Sequence, residues 1–223
     1  MGDHYIWNGA KEHVLRFGDP GAPTVLFIQP FFEEANRMRR VIVSVMRALA
    51  DAGYHAVLPD LPGTGESQTR LDQIGLEDWR GALRSYASSL PKLTCVASFR
   101  AGSLIDDASG AAHLWRCSPE TGARLVRDLM RTRLTSAQNQ DAEDTLDLAG
   151  NRLRKSFVDA LSTMTPPAHT SLRTARLATD TADADVRLIG TPMWRRSEPG
   201  DDQDLVGSIT TDLLYWIRAC AKY

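Results

Sequence analysis

Residues 95–104 read CVASFRAGSL, and their spacing outlines a catalytic corner. An apolar strand followed by small-x-nucleophile-x-Gly makes a sharp bend that lifts the middle side chain toward a substrate. Here the five positions are Ser98, Phe99, Arg100, Ala101 and Gly102. The residue at the apex is arginine. A guanidinium stays protonated at any physiological pH, so it cannot attack a carbonyl. It can, however, present a planar fork of donors to a carboxylate or a phosphate.

Hydrolysis at such a corner needs an activated nucleophile, a histidine, an acid and donors for an oxyanion. Ser98 and Ser103 flank the apex, one at the end of the strand and one in the turns beyond it. Neither holds the exposed position. The last expected strand is followed by GTPMWRRSEPGDDQD, which contains no histidine. The five histidines are His4, His13, His55, His113 and His169. His55 and His113 fall in strand-like runs, His4 and His13 lie near the N-terminus, and His169 follows TPPA on a loop. Asp180 and Asp183 could supply the acid but have no histidine to orient, and they read as loop residues. Two of three triad positions lack the required residue, so no catalytic residue is assigned.

These positions need a scaffold, and strand and helix signals alternate along the chain. PTVLFIQP (23–30), YHAVLPD (54–60), LTCVAS (93–98) and AAHLWRC (111–117) are short apolar runs, as in strands buried on both faces. ANRMRRVIVSVMRALADAG (35–53) and GLEDWRGALRSYASSL (75–90) carry apolar residues at helical spacing. AGSLIDDA (101–108) is expected to begin a helix directly behind the corner. TSLRTARLA (170–178) and ADVRLIG (184–190) are weaker strands, and 202–222 is a closing helix. From 119 to 165 the pattern changes: a helix after Ser118, Pro119 and Glu120, a polar irregular stretch AQNQDAEDTLDLAGN, and a helix RLRKSFVDALSTM. The expectation is one α/β domain over 1–223, with a mostly parallel sheet, helices on both faces, and 119–165 as a helical cap or crossover. Whether residues 137–155 are ordered is left open.

Several segments resemble a known family. DLPGTGES after a strand is similar to a turn common in α/β-hydrolases. QPFFEEANRMRR, GYHAVLPDLPGTGES, SFRAGSLI, LMRTRL and GTPMW occur in that order between Val25 and Trp194. Together they resemble the second of the exosortase A system-associated hydrolases, found in bacterial exopolysaccharide and protein-sorting clusters. PFFEEANRMRR is the most specific of them. The resemblance implies an α/β-hydrolase fold, arginine at the corner throughout the family, and a binding or accessory role. A fold name does not establish turnover.

The candidate ligand-binding set is Arg100, Phe31, Phe32, Glu33, Glu34, Asp60 and Trp194. A helix N-terminus behind Arg100 would add unpaired N–H groups and a positive dipole end. Trp194 takes the place of the missing histidine and could stack on a sugar ring. A small anionic or sugar-like ligand would suit the set. The competing expectation pairs Arg100 with Glu33, Glu34 or Asp60, and the two adjacent acids favour it. Such a pair holds a loop in place but adds little net stability. Two other functions stay open: an esterase, thioesterase or acyltransferase using a serine or Cys95 from outside the corner, and an interaction module whose cleft is packed shut.

Composition excludes other classes. A net charge of −2 over 223 residues gives no electrostatic basis for binding nucleic acid. The basic residues are four lysines and twenty-two arginines, a bias that genomic base composition also produces. TRLTS and RLRK read as solvated helix faces. GTGES lacks the Lys-Ser/Thr of a phosphate-binding loop, and no metal-ligand spacing occurs, so neither cofactor nor metal is expected. Cys95, Cys117 and Cys220 are unpaired by spacing, and no apolar run reaches membrane length. With no signal-peptide pattern at the N-terminus, a reduced cytoplasmic protein is expected, with homo-oligomerisation left open.

Overall fold

The computed structural model describes residues 3–135 and 143–221. Among the described residues, ten strands and five α-helices follow one another. They are β1 (His4–Trp7), β2 (Ala10–Phe17), β3 (Thr24–Ile28), α1 (Glu33–Asp51), β4 (His55–Pro59) and α2 (Leu76–Ser89). Then come β5 (Leu93–Phe99), β6 (Leu114–Cys117), α3 (Gly122–Thr135), β7 (Thr145–Leu148) and β8 (Asn151–Arg154). The chain continues through α4 (Lys155–Thr163), β9 (Leu172–Leu177), β10 (Val186–Leu188) and α5 (Gln203–Cys220).

Eight strands form one sheet in the order β1-β2-β4-β3-β5-β6-β9-β10. From β4 to β10 every pairing is parallel, while β1 and β2 join antiparallel at one edge. All residues of β3, β4 and β6 are buried, as parallel strands covered on both faces require. One face is covered by α1 and α5, through Met38, Val41, Ile42, Val45 and Leu49 against Leu205, Ile209, Leu213 and Ile217. The other face packs Trp79 and Leu83 of α2 with Leu125 of α3 and Phe157 and Leu161 of α4. The mostly parallel, two-faced architecture expected from the alternation is therefore observed.

The structure corrects three local expectations. Asn8-Gly9, at φ 48° and 83°, turns β1 into β2, a hairpin the sequence reading left unassigned. The stretch taken as irregular contains the β7–β8 hairpin, whose turn at Ala149-Gly150 also has positive φ; its residues 137–142 lie outside those described. RLRK accordingly runs from β8 into the start of α4 and is not one helix face.

The third correction concerns the site directly. No α-helix follows the corner. Residues Arg100–Leu104 and Asp106–Ser109 are two short 3-10 turns, ended by Gly110 in the left-handed region. The adjacent acids pull the chain two ways. Asp106 turns inward to Arg116, and Asp107 turns to Arg80 of α2 through bonds of 2.9 and 2.7 Å. The helix dipole that would have assisted Arg100 is absent.

Candidate functional site

The corner stands where the C-terminal ends of β3, β5 and β6 meet. Arg100 has φ 53°, a strained value for a residue with a Cβ, as the apex of such a bend demands. Gly102 permits the bend to press on the sheet. A Cβ there would lie 2.6 Å from the Gln29 carbonyl oxygen and 2.8 Å from that of Ile28. Phe32 and Ser118, at φ 56° and 46°, end the neighbouring strand segments. Arg100 links these three strained points, because it bonds Ser118 and the residue two beyond Phe32.

The Arg100 guanidinium is nearly saturated. Nε and Nη2 donate to Glu34 at 3.1 and 3.2 Å, Nη2 also donates to Glu120 at 2.5 Å, and Nη1 donates to the Ser118 carbonyl at 3.1 Å. Its plane lies over Trp194, 4.8 Å from the ring centroid. The pairing partner on α1 is Glu34, in the helix's first turn, where an acid also suits the dipole. Glu33, one position earlier, is exposed and makes no bond to Arg100. Glu120, the second partner, was read from sequence only as part of a helix start. Thr121 performs that cap instead, accepting from the Arg124 N–H at 3.3 Å.

Two carboxylates share one cation, and their burial differs. The Glu120 side chain is 2% exposed and Glu34 is 17% exposed. Burial pushes the Glu120 carboxyl up to about 7, against the pull of Arg100 and helped by Glu34. Burial lowers Arg100, but Glu34 and Glu120 outweigh it and hold the guanidinium above its ordinary value. Glu120 is thus the carboxyl that keeps a proton nearest neutrality. A raised folded value stabilises the native state on the acid side of about 4.5, and this stability is lost as pH rises through about 7. Wild type should therefore lose stability relative to Glu120→Gln between about pH 5 and about pH 8, by no more than about 1.4 kcal/mol per pH unit. Urea denaturation at both pH values measures it; the opposite trend would place the proton elsewhere.

The remaining expected site residues divide among three shallow cavities. Phe31, Phe32, Glu33, Glu34 and Trp194 border one of about 220 Å³, between the start of α1 and Leu125 and Leu129 of α3. Arg100 and Trp194 border another of about 190 Å³ on the β9–β10 side, with Arg124, Arg176, Asp180 and Arg195. Phe31, Phe32 and Glu33 also border a third of about 200 Å³, beside Gly63 and Gly65. Phe31 is only 3% exposed and packs against Trp79. No one of these cavities joins Phe31, Arg100 and Trp194. Asp60 does not reach Arg100; its carboxylate accepts from the Glu66 N–H at 3.0 Å and lies 3.8 Å from Arg39 and from His13. It braces the 61–67 turn.

The hydrolytic alternatives fare as follows. Ser98 is fully buried and donates to Asp106 at 2.7 Å, while Arg116 grips the same carboxylate through bonds of 2.8 and 2.7 Å. Ser103 is equally buried and donates to the Arg100 carbonyl. His113 pairs with Ser171, His169 contacts the Ala111 carbonyl, and His55 sits beside Thr24. Cys95 is buried and burial pushes its thiol up, the condition of an inert cysteine. Among the described residues no group of His, Cys, Asp and Glu could hold a metal ion, and no helix is long and apolar enough to cross a membrane.

No family model matches the chain. Epoxide hydrolase A of Mycobacterium tuberculosis is 38% identical over 90 residues, covering 35% of this chain and 27% of that protein. The match therefore spans about a quarter of the relative's length. Est1E of Butyrivibrio proteoclasticus, in its ferulic acid complex, superposes with a TM-score of 0.64 and 17% identity, covering 97% of this chain and 99% of that one. The same protein without that ligand gives the same score over 100% and 99%. Strand order, the strained corner and superposition along the whole chain establish that this protein has the α/β-hydrolase fold.

Proposed function

We propose that this α/β-hydrolase-fold protein is a binding or accessory protein without serine-hydrolase turnover, whose nucleophile position is taken by Arg100. One observation carries it: the strained apex presents a guanidinium held by Glu34, Glu120 and Ser118. The nearby hydroxyls are buried and committed to other partners, and no described histidine is hydrogen-bonded to either of them. A cation so clamped organises the end of the sheet and cannot act as a nucleophile.

The setting proposed is the cytoplasm of a bacterium with an exosortase or exopolysaccharide system. The ordered sequence segments support it, and several converge on this site. PFFEEANRMRR opens α1, LMRTRL lies in α3, SFRAGSLI forms the corner, and GTPMW contributes Trp194. Fluorophosphonate labelling with mass spectrometry tests the loss of turnover. No adduct is expected under conditions that fully label a control serine hydrolase. A stoichiometric adduct on Ser98, Ser103 or another serine would make the protein an esterase, thioesterase or acyltransferase. Arg100→Ser should remain unlabelled as well, because restoring a hydroxyl supplies no base.

A further inference from the structure

We propose that the cavity between Arg100 and Arg195, walled by Arg124 and Arg176, binds a phosphoryl dianion. The inference rests on the non-catalytic reading of the corner and names the ligand class that the site would take. The three loops that carry a triad in a working corner converge here, bringing Arg100 after β5, Asp180 after β9, and Trp194 and Arg195 after β10. Where hydrolytic groups would stand, the lining charge is four arginines and one aspartate.

Charge balance selects the ligand. Arg100 is matched by Glu34 and Glu120. Arg176 is matched by Asp180 at 3.0 Å and spends further donors on the Pro119 and Asp183 carbonyls. Arg124 and Arg195 are exposed and have no acid within ion-pair distance among the described residues. Against the four arginines stand Glu34, Glu120 and Asp180, so the surplus is one positive charge with Glu120 ionised and two with it protonated. A phosphoryl dianion meets the larger surplus and, unlike a monocarboxylate, offers enough acceptor oxygens for both Arg124 and Arg195. Guanidinium forks match phosphate geometry, and Thr179 and Thr181 place hydroxyls at the rim. The cavity volume of about 190 Å³ is roughly six waters' share of liquid volume, room for a phosphoryl group and a few attached atoms. Arg100 and Arg176 are already immobilised by their partners, so binding has to order only the side chains of Arg124 and Arg195.

The test is titration calorimetry with inorganic phosphate at constant ionic strength, using chloride as the balancing salt and acetate as a second probe. Phosphate should bind the parent, acetate should bind at least about tenfold more weakly, and Arg124→Gln/Arg195→Gln should weaken phosphate by about tenfold or more. Both residues are exposed, so the variant should keep the parent's melting temperature. Arg40→Gln, an exposed arginine on α1 outside this cavity, should leave affinity unchanged. Absence of phosphate binding, equal affinity in the double variant, equal acetate binding, or an equal loss in Arg40→Gln would each overturn the proposal. A silent titration with no fluorophosphonate adduct would sink only this ligand assignment; an adduct would sink the non-catalytic reading itself.

Discussion

Replacing Arg100 with alanine is expected to cost the fold about 3–5 kcal/mol near pH 8, because it strands two carboxylates and a carbonyl that the guanidinium alone satisfies. For a chain of this length that is a fall of about 10 °C in melting temperature. The loss comes mainly from Glu120, whose other carboxylate oxygen is buried with no partner among the described residues. Glu120 has an escape: it can take up a proton, which its environment already favours. The cost should therefore shrink below about pH 6, and adding Glu120→Gln to Arg100→Ala should recover part of it at pH 8. Calorimetric melting at both pH values checks this. A variant that melts with the parent at pH 8 would show that Arg100 is not the structural cation described here, and the corner would have to be rebuilt around a different charge pairing.

The elements that were legible in the sequence are those whose signal is local. The mostly apolar runs of β3, β4 and β5 and the three- and four-residue spacing in α1 and α2 follow directly from burial on both faces or on one stripe. The Asn8-Gly9 hairpin carries an equally local signal in its turn dipeptide, although β1 has only four residues to show a period beside it. β7 and β8 were hidden: at four residues each, half-buried and rich in charge, they show no clear period.

At the site the corner was legible and its partners were not. Small-x-Arg-x-Gly after a strand locates the apex, and Gly102 explains itself once the Ile28 and Gln29 carbonyls are seen against it. Which of two adjacent glutamates meets Arg100 depends on where α1 begins, since neighbours on a helix point about 100° apart. Glu120 lies twenty residues downstream in a connecting loop, and only β6's placement beside β5 brings it near. Asp60 was misplaced because an acid at a strand's end was read as facing the cleft; the tight approach of Gly65 shows that it serves the turn.

A second charge pair lies directly behind the corner, and it makes the strongest prediction about what supports Arg100. Asp106 is fully buried, accepts from Ser98 and from two nitrogens of Arg116, and burial raises its carboxyl above its ordinary range. Removing it by Asp106→Ala leaves Arg116, 4% exposed at its side chain, as an unpaired buried cation. The expected cost is again about 3–5 kcal/mol, and Arg116→Met should cost a similar amount by stranding Asp106. Replacing both, as Asp106→Leu/Arg116→Met, should cost far less than the sum, since well-packed apolar residues commonly stand in for a buried pair without loss. Ser98 sets the residue of that cost, because its hydroxyl would then lack an acceptor, at about 1–3 kcal/mol. A double-mutant cycle in urea reads the coupling. Additive losses would mean that Asp106 and Arg116 act separately, and the corner's rigidity would have to come from the Arg100 clamp alone.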